Sequence, residues 1–140
     1  QISIAELFTD LKKLFPEEEF QFEVPSPELK LNVDRTQIEQ ILINLLKNAR
    51  EACSRKSDKK IQVKARKLSA GNTTLTISDN GEGILPDVLD KIFVPFFTTK
   101  TSGSGIGLSL CKQIMTLHEG SINVKSEVGK GSSFILTFPK

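Results

Sequence analysis

The chain reads DNGEGI at residues 79–84, FVPFF at residues 93–97 and GSGIGL at residues 103–108. Two glycine clusters therefore flank one aromatic run, and five of the nine glycines lie in this stretch. Glycine is placed where the backbone must turn sharply or approach a ligand closely, because it has no Cβ. The second cluster leads directly into an apolar pattern with helical period. This arrangement predicts a helix start that binds phosphate.

Composition indicates one globular domain with a single core. The chain has 140 residues, of which 38% are hydrophobic and 26% are charged, as is ordinary for such domains. A net charge of +2 gives no reason to expect nucleic acid or a membrane surface as a partner. No apolar run approaches the roughly 20 residues that span a bilayer. We therefore expect a cytoplasmic domain without direct membrane contact, although the full-length protein could be anchored elsewhere.

The first residues predict a helix followed by two short strands. Ser3-Ile4-Ala5-Glu6 has the form of a capping box, and the apolar residues after it keep helical period until Pro16. Alternating residues then predict two strands, separated by Pro25-Ser26-Pro27, which disfavours a tight hairpin. Because the chain begins with Gln1 and enters a helix at once, we expect residues 1–140 to be one domain from the C-terminal part of a longer polypeptide.

A longer helix is predicted after Asp34, which is a good N-cap. Beside its apolar face runs a polar stripe of Gln40, Asn44, Asn48 and Glu51, since residues three and four apart stack on one side of a helix. The two asparagines offer neutral carbonyl oxygens that could coordinate a hard cation or orient a water. The alternative interpretation is an ordinary solvated helix edge.

A carboxylate ends one of the predicted core strands. Alternating apolar residues on both sides of the Ser69-Ala70-Gly71-Asn72 turn predict a hairpin. Asp79 continues the inward-facing set formed by Leu75 and Ile77, where desolvating a carboxylate is costly unless it is hydrogen-bonded. This position indicates either a ligand-binding group or the cap of a turn.

Further along the chain, Pro86 suits the first turn of a short helix running to about Ile92. Residues 96–104 are rich in Thr, Ser and Gly, with Lys100 as their only charge, and predict a mobile loop. A helix is predicted from Gly105, and Gly120 stands where a left-handed residue is expected at its C-terminal end. Cys53 and Cys111 lack a Cys-x-x-Cys spacing and are predicted to be reduced core residues.

Alternating residues from Ile122 and from Phe134 predict two final strands. The order of elements is then helix, strands, helix, strands, helix, strands. This order predicts an α+β fold, a two-layer α/β sandwich in which about three helices cover one face of a mixed sheet.

The motifs in combination resemble one family. Taken singly they are weak, since they have neither the spacing of the dinucleotide fingerprint nor a Gly-Lys-Ser/Thr phosphate loop. In order, however, NLLKNA at 44–49, residues 79–84, residues 93–97 and residues 103–108 resemble the N, first glycine, F and second glycine boxes of the ATP-binding catalytic domain of sensor histidine kinases. The resemblance covers essentially the whole chain and implies the Bergerat fold of the GHKL superfamily.

This resemblance implies ATP as the ligand, with Asp79 recognising the adenine. A buried carboxylate can accept a hydrogen bond from an exocyclic amine, whereas guanine would place a carbonyl there. An unpaired buried polar group costs about 1 to 3 kcal/mol, which corresponds to roughly tenfold to hundredfold discrimination. By resemblance, Gly81 and Gly83 allow the base to approach closely, and Ile84 packs against it.

For the phosphates, the resemblance assigns Asn48 to Mg²⁺ and places Asn44 beside it as a second catalytic residue. Residues 98–104 correspond to the ATP lid, in which Lys100 is a candidate phosphate contact or simply a solvated side chain. Backbone N–H groups at the helix start would meet the triphosphate. The remaining predicted nucleotide-binding residues are Phe93, Gly103, Gly105, Ile106, Gly107, Leu108 and Ser132.

The chain departs from the family pattern at two places. Glu51 stands where many members carry a basic residue, which removes one expected phosphate contact. Ser132 or Ser133 replaces the usual Thr near the end of the pattern and retains a hydroxyl. The form Asn-Ala-Arg-Glu-Ala at 48–52 resembles instead the subgroup with a short lid.

The only histidine, His118, is expected to be structural, because it lies in the last turn of a predicted helix. By resemblance, the phosphoacceptor histidine belongs to a separate dimerisation domain. We therefore expect this domain to donate the γ-phosphoryl group of MgATP to that partner in two-component signal transduction, with a response regulator as an indirect partner. The isolated domain should be monomeric, since dimerisation belongs to the missing part.

Three alternatives stay open at this stage. The first is an ATP hydrolase of the same superfamily, although those enzymes generally place a Glu base where this chain has Asn44, and an amide is a poor base. The second is a serine kinase of the same fold. The third is a nucleotide-binding docking module without catalysis.

Overall fold

The computed structural model describes residues 1–23, 28–95 and 107–140. Its helices are α1 (Ile4–Leu14), α2 (Arg35–Ala52), α3 (Pro86–Leu89) and α4 (Gly107–Leu117). Its strands are β1 (Ile2–Ser3), β2 (Phe20–Glu23), β3 (Lys30–Leu31), β4 (Ile61–Lys67), β5 (Thr73–Asp79), β6 (Ser121–Glu127) and β7 (Gly131–Phe138). The predicted elements are present, and the two-residue strand β1 is an addition.

Five strands form the main sheet in the order β2-β4-β5-β7-β6. β2 runs parallel to β4, and the other neighbouring pairs are antiparallel, so the sheet is mixed as predicted. β1 and β3 form a separate antiparallel pair. Because β2 and β3 belong to different sheets, the prediction that they do not form a tight hairpin is confirmed; Pro25, Ser26 and Pro27 themselves lie outside the described residues.

Helices cover one face of this sheet. α2 packs against β4, β5 and β7, while α4 packs against α2 and β6, and α1 packs against β2. The inward-facing residues of the central strands are buried, namely Ile61, Val63, Ala65, Leu75, Ile77, Phe134, Leu136 and Phe138. Burying each large apolar side chain stabilises the fold by about 1.5–3 kcal/mol. The predicted two-layer sandwich is therefore confirmed.

Side-chain caps fix where the first two long helices begin. The Ser3 hydroxyl oxygen accepts a hydrogen bond from the Glu6 N–H at 3.3 Å, and Asp34 Oδ1 accepts one from the Gln37 N–H at 3.0 Å. Each cap satisfies a donor that the first helical turn would otherwise leave unpaired. The cap at Asp34 thereby fixes where α2 begins.

The short helix α3 ends earlier than predicted. It stops at Leu89 rather than near Ile92, and the N–H groups of Lys91 and Val94 bond to carbonyls three residues earlier. That spacing belongs to tight turns rather than to an α-helix. The turns place Ile92 in the core with 8% of its surface exposed. Burial of this side chain is a tertiary interaction, which local helical propensity does not take into account.

Gly120 does not have the left-handed conformation predicted for it. The left-handed residue that ends α4 is Glu119, with φ of 60°. The N–H of Gly120 bonds to Met115 O and that of Glu119 to Thr116 O, which is the Schellman pattern. Gly120 is required by packing instead, because a Cβ there would lie 2.4 Å from Thr137 O.

Candidate functional site

Polar residues meet at one end of the main sheet, on its helix-covered face. Asp79 on β5 pairs in register with Ser132 on β7, which pairs in turn with Ser126 on β6. On the other side, Asp79 pairs with the buried Ile61 on β4. We call Asp79, Ser126, Gly131 and Ser132 the sheet-end cluster. It lies where the buried apolar rows of the sheet stop.

Asp79 is half-buried and hydrogen-bonded to backbone. Its Oδ1 accepts from the Gly81 N–H at 2.9 Å, so the carboxylate does cap the following turn. Burial raises the pKa of Asp79 above its usual value, while hydrogen bonds from the backbone of Gly81 and Ser132 oppose that rise. Asp79 thus provides an acceptor at a partly desolvated position, where an amine donor from a ligand would be favoured.

Ser126 and Ser132 join the turn after Asp79 to the far strands. The Ser126 and Ser132 hydroxyl oxygens lie 2.8 Å apart, and Ser126 Oγ also accepts from the Ile84 N–H at 2.8 Å. Ser132 is buried, and Ile84 is half-buried against the core. The structure therefore brings Asp79, Ile84 and Ser132 together, as the nucleotide prediction requires. Ser126 was missed, because a lone serine in an alternating strand carries no signal.

Three glycines near this cluster allow backbones to approach one another. A Cβ on Gly81 would lie 2.5 Å from Ala52 O at the end of α2, and a Cβ on Gly83 would lie 2.3 Å from Glu127 O. Gly131 has φ of 125°, and its Cβ would lie 2.0 Å from Asp79 O. Packing within the chain thus already requires glycine at 81 and 83, and their predicted approach to a base stays a prediction.

Asn80 is a structural residue that the sequence interpretation left without a role. Its Oδ1 accepts from the Lys60 N–H at 2.9 Å and from the Cys53 thiol at 3.5 Å, and its Nδ2 donates to Asp58 O at 2.6 Å. These bonds hold the turn after Asp79 to the loop that follows α2. Since Asn also favours turns on its own, the sequence alone could not separate this role from a turn preference.

The predicted asparagines lie on α2, between the turn that follows Asp79 and the helix α4. Asn44 and Asn48 are half-buried, and Asn44 lies eight residues before Ala52, about 12 Å along the helix axis. Asn44 Nδ2 lies 3.9 Å from Cys111 Sγ, within reach of a weak hydrogen bond, and the Cβ position of Gly107 is 3.8 Å from Asn44 Cγ. We call Asn44, Gly107 and Cys111 the helix-pair contact.

Both cysteines are buried and unpaired with each other, as predicted. Burial raises the pKa of Cys111 to about 11, against a lowering influence of the Asn44 side chain. Burial also raises the pKa of Cys53, and the nearby negative charge of Asp79 raises it further. Both thiols therefore stay protonated near neutral pH and are poor nucleophiles.

The other predicted nucleotide residues divide into two groups. Phe93 is half-buried against the core, with Lys112 Nζ 5.6 Å from its ring centroid, and Leu108 is also half-buried. Lys100, Gly103, Gly105 and Ile106 lie outside the described residues, as do the predicted lid and the predicted helix start at Gly105.

His118 has the structural role predicted for it. Its Nε2 accepts from the Asp34 N–H at 3.1 Å, so the proton is on Nδ1, which donates to Ile114 O at 2.8 Å. The imidazole thus links the end of α4 to the start of α2.

Two absences hold for the described part of the chain. Within residues 1–23, 28–95 and 107–140, no group of three or more His, Cys, Asp or Glu side chains is arranged to hold a metal ion. No helix in those ranges is both long and apolar enough to cross a membrane.

Comparison with known proteins decides the family. Residues 33–140 match the family described as histidine kinase-, DNA gyrase B-, and HSP90-like ATPase. The chain belongs to this family. Within it, the matched relatives are sensor histidine kinases: ZraS of Salmonella typhimurium is 39% identical over 110 residues, covering 79% of this chain and 23% of that protein. AtoS of Escherichia coli is 42% identical over 109 residues, covering 78% and 18%. The chain therefore spans about a quarter or less of these relatives.

Solved structures agree with this assignment. The nucleotide-free catalytic domain of histidine kinase ThkA superposes with a TM-score of 0.86 at 35% identity, covering 99% of this chain and 93% of that one. Full-length ShkA in complex with AMPPNP gives a TM-score of 0.84 at 25% identity, covering 99% and 30%. This ATPase-family domain therefore has the fold of histidine kinase catalytic domains, as the sequence motifs predicted.

Proposed function

We propose that this domain binds MgATP between the sheet-end cluster and the start of α4, and donates the γ-phosphoryl group to a histidine on a separate dimerisation domain. The observation that carries the proposal is the half-buried Asp79, whose carboxylate ends a core strand beside Ser132 and faces the same layer as α2. Membership of a family that includes histidine kinases supports the same function.

In this proposal, Asp79 accepts a hydrogen bond from the exocyclic amine of adenine. Its Oδ1 is oriented by the Gly81 N–H, and Ser132 is fixed beside it by Ser126. Because the hydrogen bonds that orient Asp79 come from backbone groups, no side chain must reorganise for the base to bind. Ile84, half-buried at this end of the sheet, supplies apolar contact.

The α2 amides serve the phosphate end. Asn48 and Asn44 lie one turn apart, and their neutral side-chain oxygens would help to hold a magnesium ion. When bound, Mg²⁺ neutralises phosphate charge. Gly107 and Leu108 begin the described part of α4, where N–H groups near a helix start attract anions. Phosphoryl transfer relies mainly on such positioning and charge neutralisation, so the domain needs no nucleophile of its own.

The acceptor is proposed to lie outside this chain. His118 is engaged on both ring nitrogens, and the chain spans only 23% of ZraS. We further propose that the dimerisation domain belongs to the same kinase and that a response regulator receives the phosphoryl group afterwards. Histidine kinase ThkA has been solved in complex with the response regulator protein TrrA. The matched chain of that complex is 31% identical to this one and superposes with a TM-score of 0.79, and the match covers 99% of this chain and 41% of the matched chain.

Phosphotransfer in the full-length protein tests the proposal. Incubation with ATP labelled at the γ-phosphate should yield protein-bound phosphate that is labile in acid and stable in base, and the Asn48→Ala variant should yield far less. Acid-stable label would indicate a serine kinase instead. Steady release of free phosphate that depends on Asn44, without labelled protein, would indicate a hydrolase, and ATP binding without either product would indicate a docking module.

A further inference from the structure

The helix-pair contact fixes the side-chain amide of Asn44 from one side. Residues 107 and 111 are one turn apart on α4 and therefore share a face. The Cβ position of Gly107 lies 3.8 Å from Asn44 Cγ, and Cys111 Sγ lies 3.9 Å from Asn44 Nδ2. α4 thus contacts this amide through Cys111 and passes close to it one turn earlier at Gly107, where an added Cβ would make ordinary van der Waals contact with Asn44.

The structure has one orientation of this amide, with Nδ2 facing Cys111 Sγ. A carboxamide has one donor end and one acceptor end, and rotation by half a turn exchanges them. Cys111 is fully buried, and its sulfur lies 3.9 Å from Asn44 Nδ2, where it accepts a weak hydrogen bond. When Nδ2 is engaged in this way, Oδ1 is the polar atom that Asn44 can offer to a water or a ligand.

We propose that Cys111 is a positioning residue that holds Asn44 with its carbonyl oxygen available to the phosphate end of the site. This inference rests on the proposed function, because the consequence of positioning Asn44 is measured as phosphoryl transfer.

The geometric part is tested on the domain without nucleotide, by NMR of the side-chain amide groups. A single buried core and the solved catalytic domain of ThkA, which matches 99% of this chain, indicate that the domain folds alone. Cys111→Ala should shift the Asn44 side-chain amide signals, and Cys111→Ser should return them toward the wild-type positions. The matched control is Cys53→Ala, which removes an equally buried thiol that contacts Asn80 instead. Unmoved Asn44 signals in Cys111→Ala would overturn the proposal.

The functional part is tested in the full-length kinase by a double-mutant cycle. Cys111→Ala should slow phosphoryl transfer about threefold to tenfold, as expected for losing one weak orienting hydrogen bond, while affinity for a non-hydrolysable ATP analogue stays within about twofold. In an Asn44→Ala background, Cys111→Ala should have no further effect on the rate. Additive effects would show that the two residues act independently and would overturn the proposal.

The two tests separate the failure of this inference from the failure of the proposed function. A wild-type kinase that transfers no phosphoryl group would refute the function and with it the kinetic consequence. The amide signals of Asn44 would still report whether Cys111 orients it.

Discussion

The sheet-end cluster and the helix-pair contact hold their polar groups in different ways. At the sheet end, Asp79 and Ser132 are fixed by bonds of 2.8–2.9 Å, and a Cβ on Gly131 would collide with the backbone of Asp79. Between α2 and α4, Asn44 is held by a 3.9 Å contact with the sulfur of Cys111, and Gly107 lies near enough that an added Cβ would be 3.8 Å from Asn44 Cγ. The first region is set by neighbouring strands, and the second by how two helices pack.

This difference suits the two halves of a nucleotide. A base of fixed shape can be read by a site that is built before it binds, because bonds between strands leave little freedom. Under the proposed function, the phosphates would be met by groups on two separate elements, α2 and α4. The comparison predicts that changes at the sheet end cost mainly stability and binding, whereas changes between the helices cost mainly transfer.

The largest effect is expected from Gly131→Ala. A Cβ there would lie 2.0 Å from Asp79 O at a left-handed φ, so we expect a loss of about 3 kcal/mol or more in the free energy of unfolding, or failure to fold. The matched control is Gly129→Ala, which has a similar sign of φ but nothing within 4 Å of its Cβ, and should lose only about 1 kcal/mol. Urea unfolding measures both, and equal losses would contradict the close packing at the sheet end.

A smaller effect is expected at the other end of α4, where His118 joins it to the start of α2. His118→Ala removes two hydrogen bonds and should lower the free energy of unfolding by about 1–2 kcal/mol. Phosphohistidine should still form in the full-length kinase, since the acceptor is proposed to lie elsewhere. Complete loss of label in a folded His118→Gln protein would indicate that His118 is itself the acceptor.

The smallest effect concerns pH and Asp79. Burial raises the pKa of this carboxyl above its usual value of 3.8, so its ionisation opposes folding. Relative to Asp79→Asn, the wild type should therefore lose stability as the pH rises from below 3.8 through the raised folded pKa, and the difference should be fully present at neutral pH. Urea unfolding of both proteins between pH 4 and pH 8 measures this, and a wild type that gains on the variant with rising pH would contradict it.

Local patterns predicted most of the elements because their causes are local. The caps at Ser3 and Asp34, the hairpin of β4 and β5, and the alternation that leads to Asp79 depend on residues within a few positions of one another. The motif order also predicted the family, which the match over residues 33–140 confirms.

The remaining features depend on partners that are distant in the sequence. Ser126 and Cys111 gain their roles from Ile84 and Asn44, which lie 42 and 67 residues away. Glu119 rather than Gly120 takes the left-handed conformation, and residue 120 is a glycine because Thr137 packs where its Cβ would be. No single-sequence pattern contains such pairings, since strand order and helix packing decide them.

Nucleotide titration tests the central claim most directly. Calorimetry with non-hydrolysable analogues of ATP and GTP, each with and without Mg²⁺, should show that the wild-type domain binds the adenine analogue and discriminates against the guanine analogue by roughly tenfold to hundredfold. Asp79→Asn should lose most of this binding while remaining folded, and Asp90→Asn, which changes an exposed carboxylate just after α3, should bind as the wild type does. Equal affinity for both bases, or undiminished binding by Asp79→Asn, would contradict the account.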